Sequence, residues 1–212
     1  MGTDNSRLEK QIQFIIEIDK LKKIVRQTLL TDHSRKENDA EHSWHIALMS
    51  VLLSEYAQEK SIDLLHVVTM LLVHDLVEID AGDTFCYDQK GNADKLERET
   101  KAADRIFNIL PEDQAASFRS LWDEFEAGKT AEARFAAAMD RLQPLLHNYN
   151  TEGGTWKEHR ILKDQVIIRN SAIEKGSSTL WAFAAQLIDD AVDKGFLMTN
   201  VPGPCTRVVH DD

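Results

Sequence analysis

The chain is poor in cysteine: 212 residues carry two, Cys86 and Cys205. They form no CxxC pair and cannot build a disulfide framework, so a secreted disulfide scaffold is excluded and a reducing, cytoplasmic setting is expected. Proline (4) and glycine (9) are also scarce, which argues against a turn-rich β fold. The apolar stretch Met70-Leu71-Leu72-Val73 ends at His74, and nothing reaches the length needed to span a bilayer. There is no Walker A loop and no GxGxxG, so ATP- or NAD-driven chemistry has no support. No secretory leader is expected. Gly2 and Ser6 fit MGxxx[ST], but no basic cluster follows and no lipid anchor is expected. Positive charge is in deficit: 25 Lys and Arg stand against 36 Asp and Glu, a net charge of -11. Such a surface repels a nucleic-acid backbone, so a polymeric nucleic-acid partner is not expected. A small anionic substrate is still admissible, because a metal ion and a few arginines reverse the field locally.

What is present favours helices. Hydrophobic residues make up 42% and charged residues 29%, enough for one sizeable core. Leu8, Ile12, Ile15, Ile16 and Ile24 recur at helical spacing and predict a first helix from Arg7 to about Gln27. Residues 31–40 read as a turn, with Asp39 as cap of a helix from about Ala40 to Lys60. The stretch Asp63–Asp80 is apolar nearly all round and predicts the most buried helix. Residues 81–92 read as a loop, followed by helices at about 93–110 and 112–127. Thr130 caps a helix to about Asn150, Thr155 and Glu158 suggest a capping box, and a last helix runs from Ser178 to Gly195. The expected fold is therefore all-α, a single compact multi-helix domain over residues 1–212, with a core at about 8–195 and a loose tail at 196–212.

The residues that carry chemistry sit where apolar residues belong. His74-Asp75 interrupts the apolar helix, and a buried imidazole beside a buried carboxylate is costly unless something pairs with them. A mutually satisfied helical pair would be the ordinary outcome of that dipeptide alone. Three features tilt the reading: Glu78 follows His74 by four residues, Glu41-His42 lies just inside the preceding helix, and Asp140 lies in the alanine-rich run Arg134–Arg141. Two histidines and two carboxylates from three helices form a mixed N/O donor set that suits a transition metal better than calcium. His45, one turn from His42, is read as packing or support for the site; His33, His66, His147 and His159 are read as structural or surface residues.

The ordered pattern His42, His74-Asp75, Asp140 resembles the signature of the HD-domain metal-dependent phosphohydrolases. The words Glu37-Asn38-Asp39-Ala40-Glu41-His42-Ser43 and His74-Asp75-Leu76-Val77-Glu78, with Gly82-Asp83-Thr84 after them, resemble the 5'-deoxynucleotidase branch of that family over roughly residues 8–195. The resemblance implies that His42, His74, Asp75 and Asp140 hold one divalent ion (Mn, Co, Fe, Ni, Zn or Mg), and that Glu78 does acid/base work. It implies that Arg26, Asp83 and Thr84 contact substrate. It also implies a homodimer and hydrolysis of a small phosphate ester, a nucleoside 5'-monophosphate first among them. In that branch a tryptophan linked to rejecting ribose follows the arginine; here Gln27 follows Arg26, which leaves the sugar preference open. Two alternatives stand beside this reading: another HD-domain chemistry, such as phosphodiester cleavage or oxygenation at a two-metal centre, and a module that binds metal and nucleotide without turnover.

Overall fold

The computed structural model describes residues 5–88 and 90–199. Gly2 and the tail from residue 200 lie outside the described residues.

Helix α1 (Asn5–Ile18) is shorter than predicted, and a 3-10 turn (Asp19–Lys23) leads out of it. Where the sequence predicted helix to Gln27, the chain is extended as β1 (Val25–Leu29). Ile24, Val25 and Thr28 are β-branched, and this segment finds a partner: β2 (Lys36–Asn38) pairs antiparallel with it, Val25 opposite Asn38 and Leu29 opposite Lys36. The all-α expectation thus holds for the body of the fold, with one small two-stranded sheet at its side. That sheet delivers Arg26 and Gln27 to the site from a strand.

Helix α2 (Asp39–Leu53) starts one residue earlier than expected, and its cap is Asn38, not Asp39. The Asn38 side chain accepts from the Glu41 N–H, and the Glu41 carboxylate accepts from the Asn38 N–H, a reciprocal capping box. Asp39 is freed from capping and turns into the interior, fully buried. Helix α3 (Leu64–Val73) stops just before the His-Asp pair. His74–Val77 is a 3-10 turn and α4 (Glu78–Ala81) follows it. The predicted continuous helix to Asp80 is therefore broken at its chemistry-bearing residues. The even apolar belt is also not all buried: Leu65 is 75% exposed and Leu72 48%.

The central element is instead α7 (Ala131–Asn150), reached through α5 (Lys95–Phe107) and α6 (Glu112–Ala127). Gly128 ends α6 in the left-handed region at φ 59°, and Thr130 caps α7 by accepting from the Ala133 N–H. Ala133, Ala136 and Ala138 are buried, and their small side chains let α2, α3 and α6 approach. After α7 come α8 (Gly154–Glu158), α9 (Lys163–Asn170), α10 (Ile173–Gly176) and α11 (Ser178–Asp193). The predicted Thr155/Glu158 capping box does not form; α8 is capped by Gly153 without a side-chain bond. Gly176 packs so tightly on α7 that an added Cβ would fall 2.3 Å from the Arg134 carbonyl oxygen. Residues 196–198, expected in the loose tail, are packed: Leu197 is buried, and Met198 forms a bridge with Leu162. No helix among the described residues is long and apolar enough to cross a membrane.

Candidate metal centre

The start of α2, the 3-10 turn after α3 and the middle of α7 bring His42, His74, Asp75 and Asp140 together. His42 Nε2 lies 3.2 Å from Asp140 Oδ1 and 4.0 Å from Asp75 Oδ2. His74 Nε2 lies 3.0 Å from Asp75 Oδ1 and 3.9 Å from Asp140 Oδ1. Two ligands each about 2.1 Å from one ion sit roughly 3–4 Å apart, so this donor set is spaced to share a cation.

The other ring nitrogens decide the fit. His74 Nδ1 is 2.8 Å from the Leu71 carbonyl oxygen, so it donates there and leaves the Nε2 lone pair for the site. His74 Nε2 is buried without a hydrogen-bond partner. His42 Nδ1 is 3.1 Å from Gln143 Oε1. The orientation of that amide follows from its far end, where Gln143 Nε2 donates to Glu37 Oε1 at 2.7 Å. Burial opposes the Glu37 charge, yet His42 outweighs it and holds the pKa below its ordinary value. An ionised carboxylate only accepts, so the Gln143 nitrogen must face Glu37 and its oxygen must face His42. His42 therefore also donates through Nδ1 and directs Nε2 inward. Both imidazoles are fixed in the tautomer a metal requires, and the donor set fits a divalent ion.

Charge in the site is tightly coupled. Burial and Arg26 oppose a charged His42, but Asp140, Glu37 and Asp75 outweigh them and push its pKa to about 9. Burial opposes the Asp140 carboxylate, and His42 and His74 hold its pKa well below the usual range. Burial, then Asp75 and Asp39, push the Glu78 carboxyl well above its ordinary value. Glu78 groups with Asp39 and Asp75, not stacked over His74 as helical spacing predicted, because the 3-10 turn changes the phase. Its Oε2 is buried with no hydrogen-bond partner.

Arg26 reaches in from β1 and donates to Asp39 at 3.1 Å and Asp75 at 3.0 Å. Asp83 and Thr84 line the same cavity, with Gln27, Lys95, Trp156 and Glu126 around it. Arg98 donates to Thr84 Oγ1 at 3.0 Å, leaving that hydroxyl hydrogen free. Lys36 donates to Gln27 Oε1 at 2.7 Å, so the Gln27 amide is held polar at the pocket wall. Cys86 lies exposed at the rim, and Arg35 is spent on an exposed pair with Glu41.

Sequence reasoning missed Gln143, Glu37 and His147. Glu37, His45 and His147 would pass as a second metal cluster, but their acceptors surround the Gln143 amide nitrogen: His45 Nδ1 at 3.3 Å and His147 Nε2 at 3.2 Å. A hydrogen-bonding hub occupies that space, which leaves no support for a two-metal reading there. His66 serves elsewhere, 2.8 Å from Glu124.

The HD-domain family profile matches residues 18–181. The chain belongs to the HD-domain phosphohydrolases. Among HD-domain relatives, human 5'-deoxynucleotidase HDDC2 is 29% identical over 136 residues, 64% of this chain and 65% of that protein. The chain thus spans just under two thirds of the human relative's length. The Xenopus laevis 5'-deoxynucleotidase HDDC2 is 25% identical over 198 residues, 84% of this chain and 96% of that protein. The crystal structure of a predicted metal-dependent phosphohydrolase from Magnetospirillum magnetotacticum MS-1 is 58% identical, with a TM-score of 0.89 over 93% of this chain and 100% of that one. The HD-domain His/Asp cluster described above is compatible with a divalent metal.

Proposed function

We propose that this HD-domain protein is a phosphomonoesterase that hydrolyses nucleoside 5'-monophosphates with one divalent metal ion held by His42, His74, Asp75 and Asp140. The observation that carries the reading is the pair of imidazoles. Each spends its Nδ1 proton on a neighbouring oxygen and turns Nε2 toward two aspartates. The nucleotide part is supported by the relatives named 5'-deoxynucleotidase. Mn, Co, Fe, Ni, Zn and Mg all remain eligible for this donor set.

A divalent ion in this site would polarise a phosphoryl oxygen and acidify water. The chain's own groups supply the rest. Glu78, with its unpartnered Oε2 and raised pKa, carries a proton from the attacking water to the departing 5'-oxygen. Arg26 and the Thr84 hydroxyl orient the substrate, and Asp83 lies beside them at the cavity wall. In-line attack breaks the P–O ester bond and leaves inorganic phosphate and a nucleoside. Where the deoxynucleotidase branch has tryptophan, the Gln27 amide is a polar neighbour that a ribose 2'-hydroxyl can face, so both sugars are expected as substrates. We infer a homodimer, for which the exposed Trp44, Leu48 and Leu52 of α2 offer an apolar face.

The test is phosphate release from ribo- and deoxyribonucleoside 5'-monophosphates with Mn, Co, Mg or chelator. Release that depends on metal and stops with chelator supports the reading. No release from any nucleotide with any metal would reject it.

A further inference from the structure

The cavity beside the metal centre is lined by four cations, Arg26, Lys95, Arg141 and Arg169, and they are not equally partnered. Arg26 is bound between Asp39 and Asp75. Lys95 is 3.3 Å from Glu99. Arg169, in the last turn of α9, has only Asp140 Oδ2 within reach, at 3.9 Å, and Asp140 belongs to the proposed ligand set. Arg141, on α7, makes no side-chain hydrogen bond or ion pair with any described residue. Its Nε is shielded from solvent and has no partner. Arg141 and Arg169 both line this cavity, and burial, then the charge of Arg169, lower the Arg141 pKa.

A half-buried guanidinium with no hydrogen bond or ion pair is an unfavourable arrangement for the protein alone. The partners each cation already has say what would relieve it. Arg26 is engaged by Asp39 and Asp75, and Lys95 by Glu99. Asp83 and Glu126 line the same cavity but pair with neither Arg141 nor Arg169, so the free donors of these two guanidiniums face the cavity, and a phosphoryl group is an anion that would engage both. Guanidinium forks match phosphate oxygens in geometry as well as charge.

We propose that Arg141 and Arg169 form an anion subsite, on the Asp140 side of the metal centre, that takes a phosphoryl group of the substrate. The proposal rests on the phosphohydrolase reading for the identity of the anion, and on the unpartnered Arg141 beside the loosely held Arg169 in one cavity for its place. Its test is calorimetric titration of the full-length Mn-loaded protein with inorganic phosphate, at constant ionic strength set by sodium chloride. R141M and R169M should each weaken phosphate binding at least tenfold, and R141K should retain more than R141M. Phosphate should raise the melting temperature of the wild type but not of R141M. Without phosphate, R141M should melt no lower than the wild type, because no ion pair is lost.

Phosphate affinity within twofold of the wild type in both R141M and R169M would overturn the subsite, as would a wild type that binds no phosphate. R169M, at a half-exposed position, keeps the test decisive if R141M folds poorly. Phosphate bound at this pair without release from any ester would remove the phosphomonoesterase reading and leave the subsite standing. Ester hydrolysis with phosphate affinity unmoved in both variants would do the reverse.

Discussion

Replacing Gln143 with methionine tests the tautomer argument at its origin. The side chains are similar in length, so packing is largely preserved, but the hydrogen bonds of the hub vanish: His42 Nδ1 to Gln143 Oε1 at 3.1 Å, Gln143 Nε2 to Glu37 at 2.7 Å, and the contacts of Gln143 Nε2 with His45 and His147. Loss of a partner that orients a metal-binding histidine weakens affinity roughly 10–100-fold, which is about 1.4–2.8 kcal/mol. Stability without metal should also fall. Glu37 is only 1% exposed, and orphaning it together with His42 Nδ1 costs on the order of 2–5 kcal/mol. The two effects separate in E37L/Q143M, which removes the orphaned carboxylate but does not restore an acceptor to His42. Melting temperature should recover in part, while metal affinity, measured by competition with a chromophoric chelator, should stay low. Wild-type affinity in a folded Q143M would refute the role assigned to Gln143. Recovered affinity in the double variant would show that the stranded carboxylate, not the imidazole tautomer, was responsible.

Asp75→Ala should abolish metal binding and turnover together, whereas Glu78→Ala should keep the metal and slow turnover by about 10²–10⁴-fold; metal content by elemental analysis beside single-substrate kinetics reads both. Metal binding should release protons: with no cation, His42 holds its second proton up to a pH of about 9, so the ion must displace it. Apparent metal affinity should therefore rise with pH below that value and level off above it, and calorimetry in buffers of different ionisation enthalpy should show net proton release; a heat independent of buffer would contradict this. Leu52→Arg places a charge on the exposed face of α2, where Leu52 is 67% exposed; sedimentation should show a shift from dimer to monomer with the melting temperature nearly unchanged, and a wild type that sediments as a monomer would end the dimer inference.

Much of this was legible in the sequence, for a physical reason. His74 and Asp75 stood out because charged groups in an apolar run demand a partner, and Thr130 marked a helix start by chemistry local to it. What could not be read was set by distance along the chain. Nothing near Gln143 or His147 announces that they meet Glu37 and His45, about a hundred residues earlier. Asp39 looked like a cap because caps are local; its engagement by Arg26 depends on a strand that exists only because β2 pairs with it. The break after Val73 escaped detection because apolar periodicity runs straight through it. Nothing in the sequence sets Arg141 apart, and only the packed structure shows its Nε buried without a partner.

The proposed centre would draw its ligands from α2, the turn after α3, and α7, with His42 and Asp140 lying 98 residues apart. None of the helices can bind the ion alone, and a partly folded chain offers only fragments of the donor set. A bound ion would then be a ligand of the native state only, and each tenfold of free metal above its dissociation constant would deepen the folded basin by about 1.4 kcal/mol. Metal supply would set not only how many molecules are active but how long each survives before it opens, ages or meets a protease.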